Sequence, residues 1–304
     1  MTAVSPGIQP PATQAVRGAM LAALAMALFS VQDAFVKAMS EDYSVVVILF
    51  FRTLGILPIS IYLVWRNGGI AAFRTGRPGL HALRGLFLFL MFLGYYVALT
   101  QLPLATVVAL VFSAPLMTTL LSVPILKERI GVHRLGAVLV GLLGVLIMVR
   151  PGGGAFEWAM LLCIGASFCY SLSMVLTRLL GTTESVSSLV FYPNVAFLVG
   201  STLLLPATWS PVTPLHLGLI VGFGVWTIVP HLAITQAYRI APPPVLAPFD
   251  YTTLVWALLW GWLIWEEWPS ASTLLGAFVV ILAGLYVVYR ESRPDRIGHP
   301  LEPR

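Results

Sequence analysis

The sequence predicts an all-α integral membrane protein, with ten transmembrane helices arranged as two inverted five-helix repeats. Three observations predict it. First, the 304-residue chain is 59% apolar and only 10% charged, against about 25% charged in soluble domains, too few charges to cover a water-facing surface. Second, the apolar residues fall into ten runs, near 18–38, 43–65, 82–101, 104–125, 132–150, 156–180, 185–206, 215–238, 244–265 and 271–290. Each approaches the roughly 20 residues that cross a bilayer as a helix. Third, the chain repeats itself. Ala98-Leu99-Thr100-Gln101 returns as Ala233-Ile234-Thr235-Gln236, and Gly136, Ala137, Gly144 and Arg150 return as Gly276, Ala277, Gly284 and Arg290 at an offset of 140. Phe29-Ser30 and Lys37 match Tyr170-Ser171 and Arg178 at an offset of 141, which makes the unit five segments long. Self-similarity at fixed offset marks a duplicated unit, and two apolar copies fit a transporter built from repeats.

The runs must be helices, because hydrocarbon offers no hydrogen-bond partner to a free backbone group. The first run continues through Asp33 to Lys37 and has a counterpart in the second half, so it reads as a retained helix and not as a cleaved signal. Segments three and four join at Pro103, and segments eight and nine at Pro242-Pro243-Pro244; proline suits a first helical turn, whose amides need no intrahelical acceptor. The longest loops, 66–81 and 207–214, hold no soluble domain. The expected organisation is a cytoplasmic tail at 1–17, repeat one at 18–150, repeat two at 155–290 and a second cytoplasmic tail at 291–304.

The net charge of +5 belongs to loops, not to a nucleic-acid surface. With the N-terminus inside, 14 Lys and Arg residues fall on the cytoplasmic side, among them Arg66, Arg74, Arg77, Arg84, Lys127, Arg134, Arg178, Arg239 and Arg290, and two, Lys37 and Arg150, fall outside. Positive charge concentrates on the cytoplasmic side of membrane proteins. The expectation is a multi-pass protein of the bacterial inner membrane with both termini cytoplasmic. An odd number of helices per repeat then makes the repeats inverted.

Cys163 and Cys169 support neither a zinc site nor a disulfide framework, and no metal or cofactor is expected. Pro151-Gly152-Gly153-Gly154 lacks the Lys-Ser/Thr of a phosphate loop and reads as a linker. Ala137, Gly141 and Gly144 form a small-residue face suited to close helix packing. Glu128, Glu266 and Glu267 stand at the membrane boundary, as caps or loop pairs.

Together the two five-helix repeats, the Pro115-to-Glu128 spacing in segment four and the glycines of segments five and ten resemble the EamA domains of the drug/metabolite transporter superfamily, over about residues 18–290. Leu83-Arg84-Gly85 and Ala247-Pro248-Phe249-Asp250-Tyr251 are similar to a proteobacterial subgroup that includes S-adenosylmethionine uptake carriers; riboflavin uptake carriers and amino-acid exporters are more distant relatives. The resemblance implies fold and transport. In segment nine, Thr253-Leu254 stand where this family pattern has a proline, so a kink like that of segment four is not expected from that feature; Pro115, Pro230 and Pro248 are expected to interrupt segments four, eight and nine, where alternating access needs bending or rocking.

Polar residues at membrane depth carry the functional argument, because a charge in hydrocarbon is expensive and usually faces a polar interior. Asp33 and Lys37, at i and i+4, can pair on one face. Asp33 reads as a substrate- or proton-linked carboxylate, or as half of a structural pair; Gln32 and Ser30 enlarge its patch, and Lys37 has the length to snorkel outward. Arg52, deep in segment two, is either an anchor for a substrate carboxylate, using its planar donor fork, or the partner of Asp33. Arg84 reads as a topology charge or a substrate contact. Tyr95 and Tyr96 line a cavity or form an aromatic belt. Trp226 offers a stacking surface, or is core. His231, after Pro230, is a core residue or a proton acceptor. Asp250 and Tyr251, after Pro248, are the second repeat's candidates.

These residues favour a secondary carrier moving a small polar metabolite, of the amino-acid or amino-acid-derivative class, by alternating access between segments 1–4 and 6–9. Segments 5 and 10 are expected as peripheral supports. Its partners would be that substrate, the lipid bilayer and a coupling proton, with the chain a monomer or a homodimer. The alternatives are an intramembrane enzyme, for which no Gly-x-Ser-x-Gly or His-Glu-x-x-His string is present, and, within transport, an uptake carrier for S-adenosylmethionine or riboflavin in place of an exporter. The chain itself contains no nucleotide-driven motor.

Overall fold

A computed structural model describes residues 12–69, 73–127, 130–150, 157–181, 184 and 186–291; Glu128, the 151–154 linker and residues 1–11 and 292–304 of the expected tails lie outside them. Thirteen helices occur among the described residues: α1 (Ala12–Met39), α2 (Val45–Gly68), α3 (Pro78–Leu99), α4 (Leu104–Val111), α5 (Ala114–Leu126), α6 (Val132–Val149), α7 (Trp158–Gly181), α8 (Val186–Thr208), α9 (Pro214–Trp226), α10 (Ile228–Ile240), α11 (Pro243–Asp250), α12 (Thr252–Trp265) and α13 (Ala271–Glu291). They make ten crossings, because α4–α5, α9–α10 and α11–α12 are each one crossing in two pieces. Nine crossings satisfy length and hydropathy as units; in the tenth, α11–α12, neither piece is long enough alone. The outer surface is apolar, with Leu203 75%, Leu215 71% and Val255 64% exposed, which suits lipid and not water. The first helix begins at Ala12, earlier than the expected 18.

Proline accounts for two of the breaks. It removes one amide donor and its ring collides with the carbonyl four residues back. Pro115 therefore disturbs the backbone at Val111, and the helix breaks at Phe112–Ser113. Pro230 disturbs it at Trp226, and the helix breaks at Thr227. The third break, at Tyr251, lies beyond Pro248 and needs another cause. The Tyr251 ring packs edge-on against Phe112, 5.0 Å between centroids, and its hydroxyl fills the space beside Gly284. Thr252 and Thr253 return hydroxyl hydrogen bonds to the carbonyls of Phe249 and Asp250, at 2.6 and 2.8 Å, which satisfies groups the break exposes. Segment nine thus breaks as segment four does, although the family proline is absent: tertiary packing between the two breaks replaces it.

Inversion of the repeats is visible in the packing. The two-fold relation pairs α1 with α7, α2 with α8, α3 with α9–α10, α4 with α11, α5 with α12 and α6 with α13. Accordingly α3 packs on α7 as α1 packs on α10, α2 on α9 as α3 on α8, and α5 on α7 as α1 on α12. Helices α6 and α13 pack mainly on each other, at the edge of the bundle. Their approach depends on glycine: a Cβ at Gly144 or Gly276 would strike the other glycine's carbonyl oxygen. The backbone also repeats, since Lys127 after α5 and Glu266 after α12 are both left-handed, φ 56° and 55°.

Candidate substrate site

Ends of α1, α3 and α12 and the start of α4 share one face, here called the Lys37 face. At a rise of about 1.5 Å per residue, Asp33 and Arg52 both lie roughly 10 Å below it. Each is held by a tyrosine of α3. The Tyr95 hydroxyl donates to Asp33 Oδ2 at 2.9 Å. Arg52 Nη1 donates to the Tyr96 hydroxyl at 2.9 Å, and Gln32 Nε2 donates to the same oxygen at 2.9 Å. The Arg52 guanidinium also lies over the rings of Phe92 and Tyr96, at 5.4 and 5.9 Å, an arrangement that stabilises a desolvated cation. Tyr95 and Tyr96 are buried, 8% and 0% exposed, so they are not belt residues.

Among the described residues no ion pair joins Asp33 to Arg52. Arg52 is therefore not in direct ion-pair contact with Asp33, although its charge acts on that carboxylate; each is hydrogen-bonded to a tyrosine of α3. The Asp33–Lys37 pair is corrected as well. Lys37 does not snorkel; it is 6% exposed and bridges to Glu267 at 2.7 Å. Its length carries it across the Pro103 turn, where Asp33 cannot follow.

His231 is adjacent to this group. Its Nδ1 lies 2.7 Å from the Thr227 carbonyl at the α9–α10 break. The ring meets Phe29 edge-on at 5.0 Å, and it is near enough to Arg52 to feel its charge. The Arg52 backbone is fixed from behind, because a Cβ at Gly224 of α9 would collide with the Arg52 carbonyl oxygen. Four crossings, α1, α2, α3 and α9–α10, thus position one polar group.

Asp250 and Tyr251 form a second group. Asp250 closes α11, about 10 Å above the opposite face by the same rise, and acts electrostatically on Tyr170, Tyr238 and Tyr251. No hydrogen bond or ion pair joins it to Asp33 or Arg52 among the described residues. Trp226 is 36% exposed and makes no ring contact with either group among the described residues. Arg84 is neither interfacial nor open to a ligand: it is 7% exposed, and its Nε and Nη1 donate to Thr177 Oγ1 and the Leu189 carbonyl at 2.6 and 2.7 Å, tying α3 to α7 and α8. Sequence reasoning missed Glu267 as the partner of Lys37, Phe92 beneath Arg52 and Gly224 behind it. The first two are long-range contacts without local signal; the third is one glycine among many in apolar helices.

This fold and its two-repeat build have known relatives. Residues 16–150 and 157–290 both match the EamA-like transporter family. The pseudopaline exporter CntI of Pseudomonas aeruginosa is 32% identical over 273 residues, 88% of this chain and 94% of its own. The S-adenosylmethionine uptake transporter of Rickettsia prowazekii is 28% identical over 250 residues, 82% and 83% of the two chains. The riboflavin transporter of Vibrio cholerae is 29% identical over 276 residues, 88% and 87%. One solved structure shares the fold with a TM-score of 0.61 at 19% identity, covering 91% of this chain and 98% of its own. With helices inverted about a common axis and both halves matched, the chain is a membrane transporter and belongs to the EamA-like transporter family.

Proposed function

We propose that the chain is a secondary transporter of a small zwitterionic or anionic metabolite of the amino-acid or amino-acid-derivative class, working by alternating access. The observation that supports it is the separation of Arg52 from Asp33. A guanidinium with one hydrogen bond among the described residues, from Nη1, keeps its other donors for a ligand carboxylate. A carboxylate at the same depth suits the ligand's ammonium group. A zwitterion would bridge the two charges that the tyrosines hold apart. The relative named as an S-adenosylmethionine uptake transporter supports this substrate class. Export is represented by the pseudopaline exporter and uptake by the Rickettsia protein, so both directions enter the test. The cytoplasmic side is assigned to the face opposite Lys37, by the 14-to-2 distribution of Lys and Arg, in the bacterial inner membrane. Protons are the coupling ion in this reading, carried by Asp33, His231 or Asp250.

Purified protein in liposomes, loaded with a panel of amino acids and their derivatives, tests it with and without an imposed pH gradient. Arg52→Lys replaces a fork by a point charge; the loss of a charge-assisted bond, about 1.5–3 kcal/mol, predicts roughly ten- to a hundredfold weaker apparent affinity. Full transport by Arg52→Ala removes Arg52 from the site. Wild-type flux indifferent to the gradient defeats proton coupling, and gradient-driven flux in each of Asp33→Asn, His231→Gln and Asp250→Asn places the coupling residue elsewhere.

A further inference from the structure

The two-fold relation between the repeats is broken most strongly at one place. Helix α4 packs against α12 at the Lys37 face, whereas their counterparts α11 and α5, at the opposite face, make no contact of that extent among the described residues. One end of the bundle is drawn together and the other is not.

Chemistry at the drawn-together end is specific. Lys37 Nζ, in the last turn of α1, donates to Glu267 Oε1 and Oε2 at 2.7 Å each and to the Leu102 carbonyl at 2.9 Å. These acceptors match the three donors of an ammonium group. Glu267 Oε2 also accepts from the Leu104 amide at 3.2 Å, an amide at the start of α4 where a carboxylate meets both an unsatisfied donor and the helix dipole. Leu102 and Leu104 flank the Pro103 turn. The ammonium further lies 5.0 Å from the ring centroid of Trp265. The left-handed Glu266, φ 55°, turns the chain so that Glu267 points back across the mouth. A single pair therefore pins the end of α1, the α3–α4 turn, the start of α4 and the end of α12.

We propose that Lys37–Glu267 is a latch that closes the Lys37 face over the Asp33–Arg52 group, and that it separates whenever the transporter opens on that face. The pair suits a reversible closure. Lys37 is shut away from water and Glu267 only partly so, their side chains 8% and 26% exposed; each is held by the other and by the bonds around it, and a mouth that opens admits water to both. An apolar plug in the same place would expose apolar surface on opening. The latch also explains why a lysine is buried in the last turn of α1 with no partner on its own helix.

The test does not depend on substrate identity. In a Cys163→Ala/Cys169→Ala background, a reporter Phe92→Cys beside Arg52 is treated with a membrane-impermeant maleimide applied to the Lys37 face or to the opposite face. Lys37→Gln and Glu267→Gln are each expected to raise the labelling rate from the Lys37 face about tenfold or more and not from the opposite face. Equal rates with and without the substitutions, in protein that elutes as folded by size exclusion, overturn the latch. A second arm retains closure: Lys37→Cys/Glu267→Cys joined by a reducible bifunctional thiol reagent, with the reporter then labelled. The bridged protein is expected to label from the opposite face alone and, after reduction, from both. Labelling from the Lys37 face while bridged overturns the proposal, even if either single variant fails to fold.

Discussion

Glu184 fixes the end of one connection against the bundle, outside the crossing helices. Its carboxylate accepts from the Gly76 amide at 3.2 Å and lies 3.4 Å from His81 Nε2. Burial pushes this carboxyl up, but hydrogen bonds from Thr75, His81 and the Gly76 amide outweigh it and hold it below the usual carboxylate range. A carboxyl held low binds its proton less readily folded than unfolded. Its stabilisation is therefore full above the unfolded value, about 4.3 for glutamate, and is lost as pH falls through the lower folded value. Glu184→Gln is expected to melt below wild type near neutrality, with the two curves converging in acid. Thermal unfolding in detergent across that range checks it, and parallel curves at every pH would reject the assignment. At this scale the sequence was partly legible. Asp33, Arg52 and Lys37 stand out because charge is rare at depth. Their partners do not, because Tyr95, Tyr96 and Glu267 reach them across the bundle from positions 62, 44 and 230 residues away in the chain for the bonds Tyr95–Asp33, Arg52–Tyr96 and Lys37–Glu267.

Helix pairs explain why the site has its geometry. Helices α2 and α9 cross with almost no side chain between them, because a Cβ at Gly55 would meet the Val221 carbonyl and one at Gly224 the Arg52 carbonyl. In a bilayer, where apolar surface gains nothing from leaving lipid, such close backbone approach supplies van der Waals contact between helices. Gly224→Ala inserts a methyl group where the next atom is backbone. Overpacking of this kind costs about 1–3 kcal/mol, and the strain displaces Arg52. The expected outcome is a lower melting temperature together with weaker flux, while Gly222→Ala, which has open space beside it, changes neither. If Gly224→Ala melts and transports as wild type, the crossing is not what sets Arg52. Helix existence was legible from hydropathy, and interruptions of segments four, eight and nine were legible from Pro115, Pro230 and Pro248. The place of the third break, at Tyr251 and beyond Pro248, was not, because it depends on contacts with Phe112 and Gly284 from other segments.

At the scale of the molecule, duplication was the most legible feature, since fixed offsets survive in apolar sequence even where side-chain roles diverge. What the duplication could not reveal is its own asymmetry. Lys37 has Arg178 as its counterpart, yet the contact it makes depends on which end of the bundle is drawn together, and that is a property of conformation and not of composition. Sidedness is a separate matter and rests on charge. The connection through Arg74 and Arg77, between α2 and α3, should face the cytoplasm, and the one through Ser210, between α8 and α9, should face out. Basic loops resist translocation, and the second connection holds no Lys or Arg between Thr208 and Pro214. Single cysteines at Thr75 and Ser210 in the Cys163→Ala/Cys169→Ala background separate the cases. Intact cells treated with an impermeant maleimide should label Ser210→Cys from outside and spare Thr75→Cys until the membrane is permeabilised; the partly buried Thr75 should then react. Ser210 is partly buried, so slow labelling from outside still fits, but labelling of Thr75→Cys from outside reverses the topology. That result would place the Lys37–Glu267 closure at the cytoplasmic face and leave its geometry unchanged.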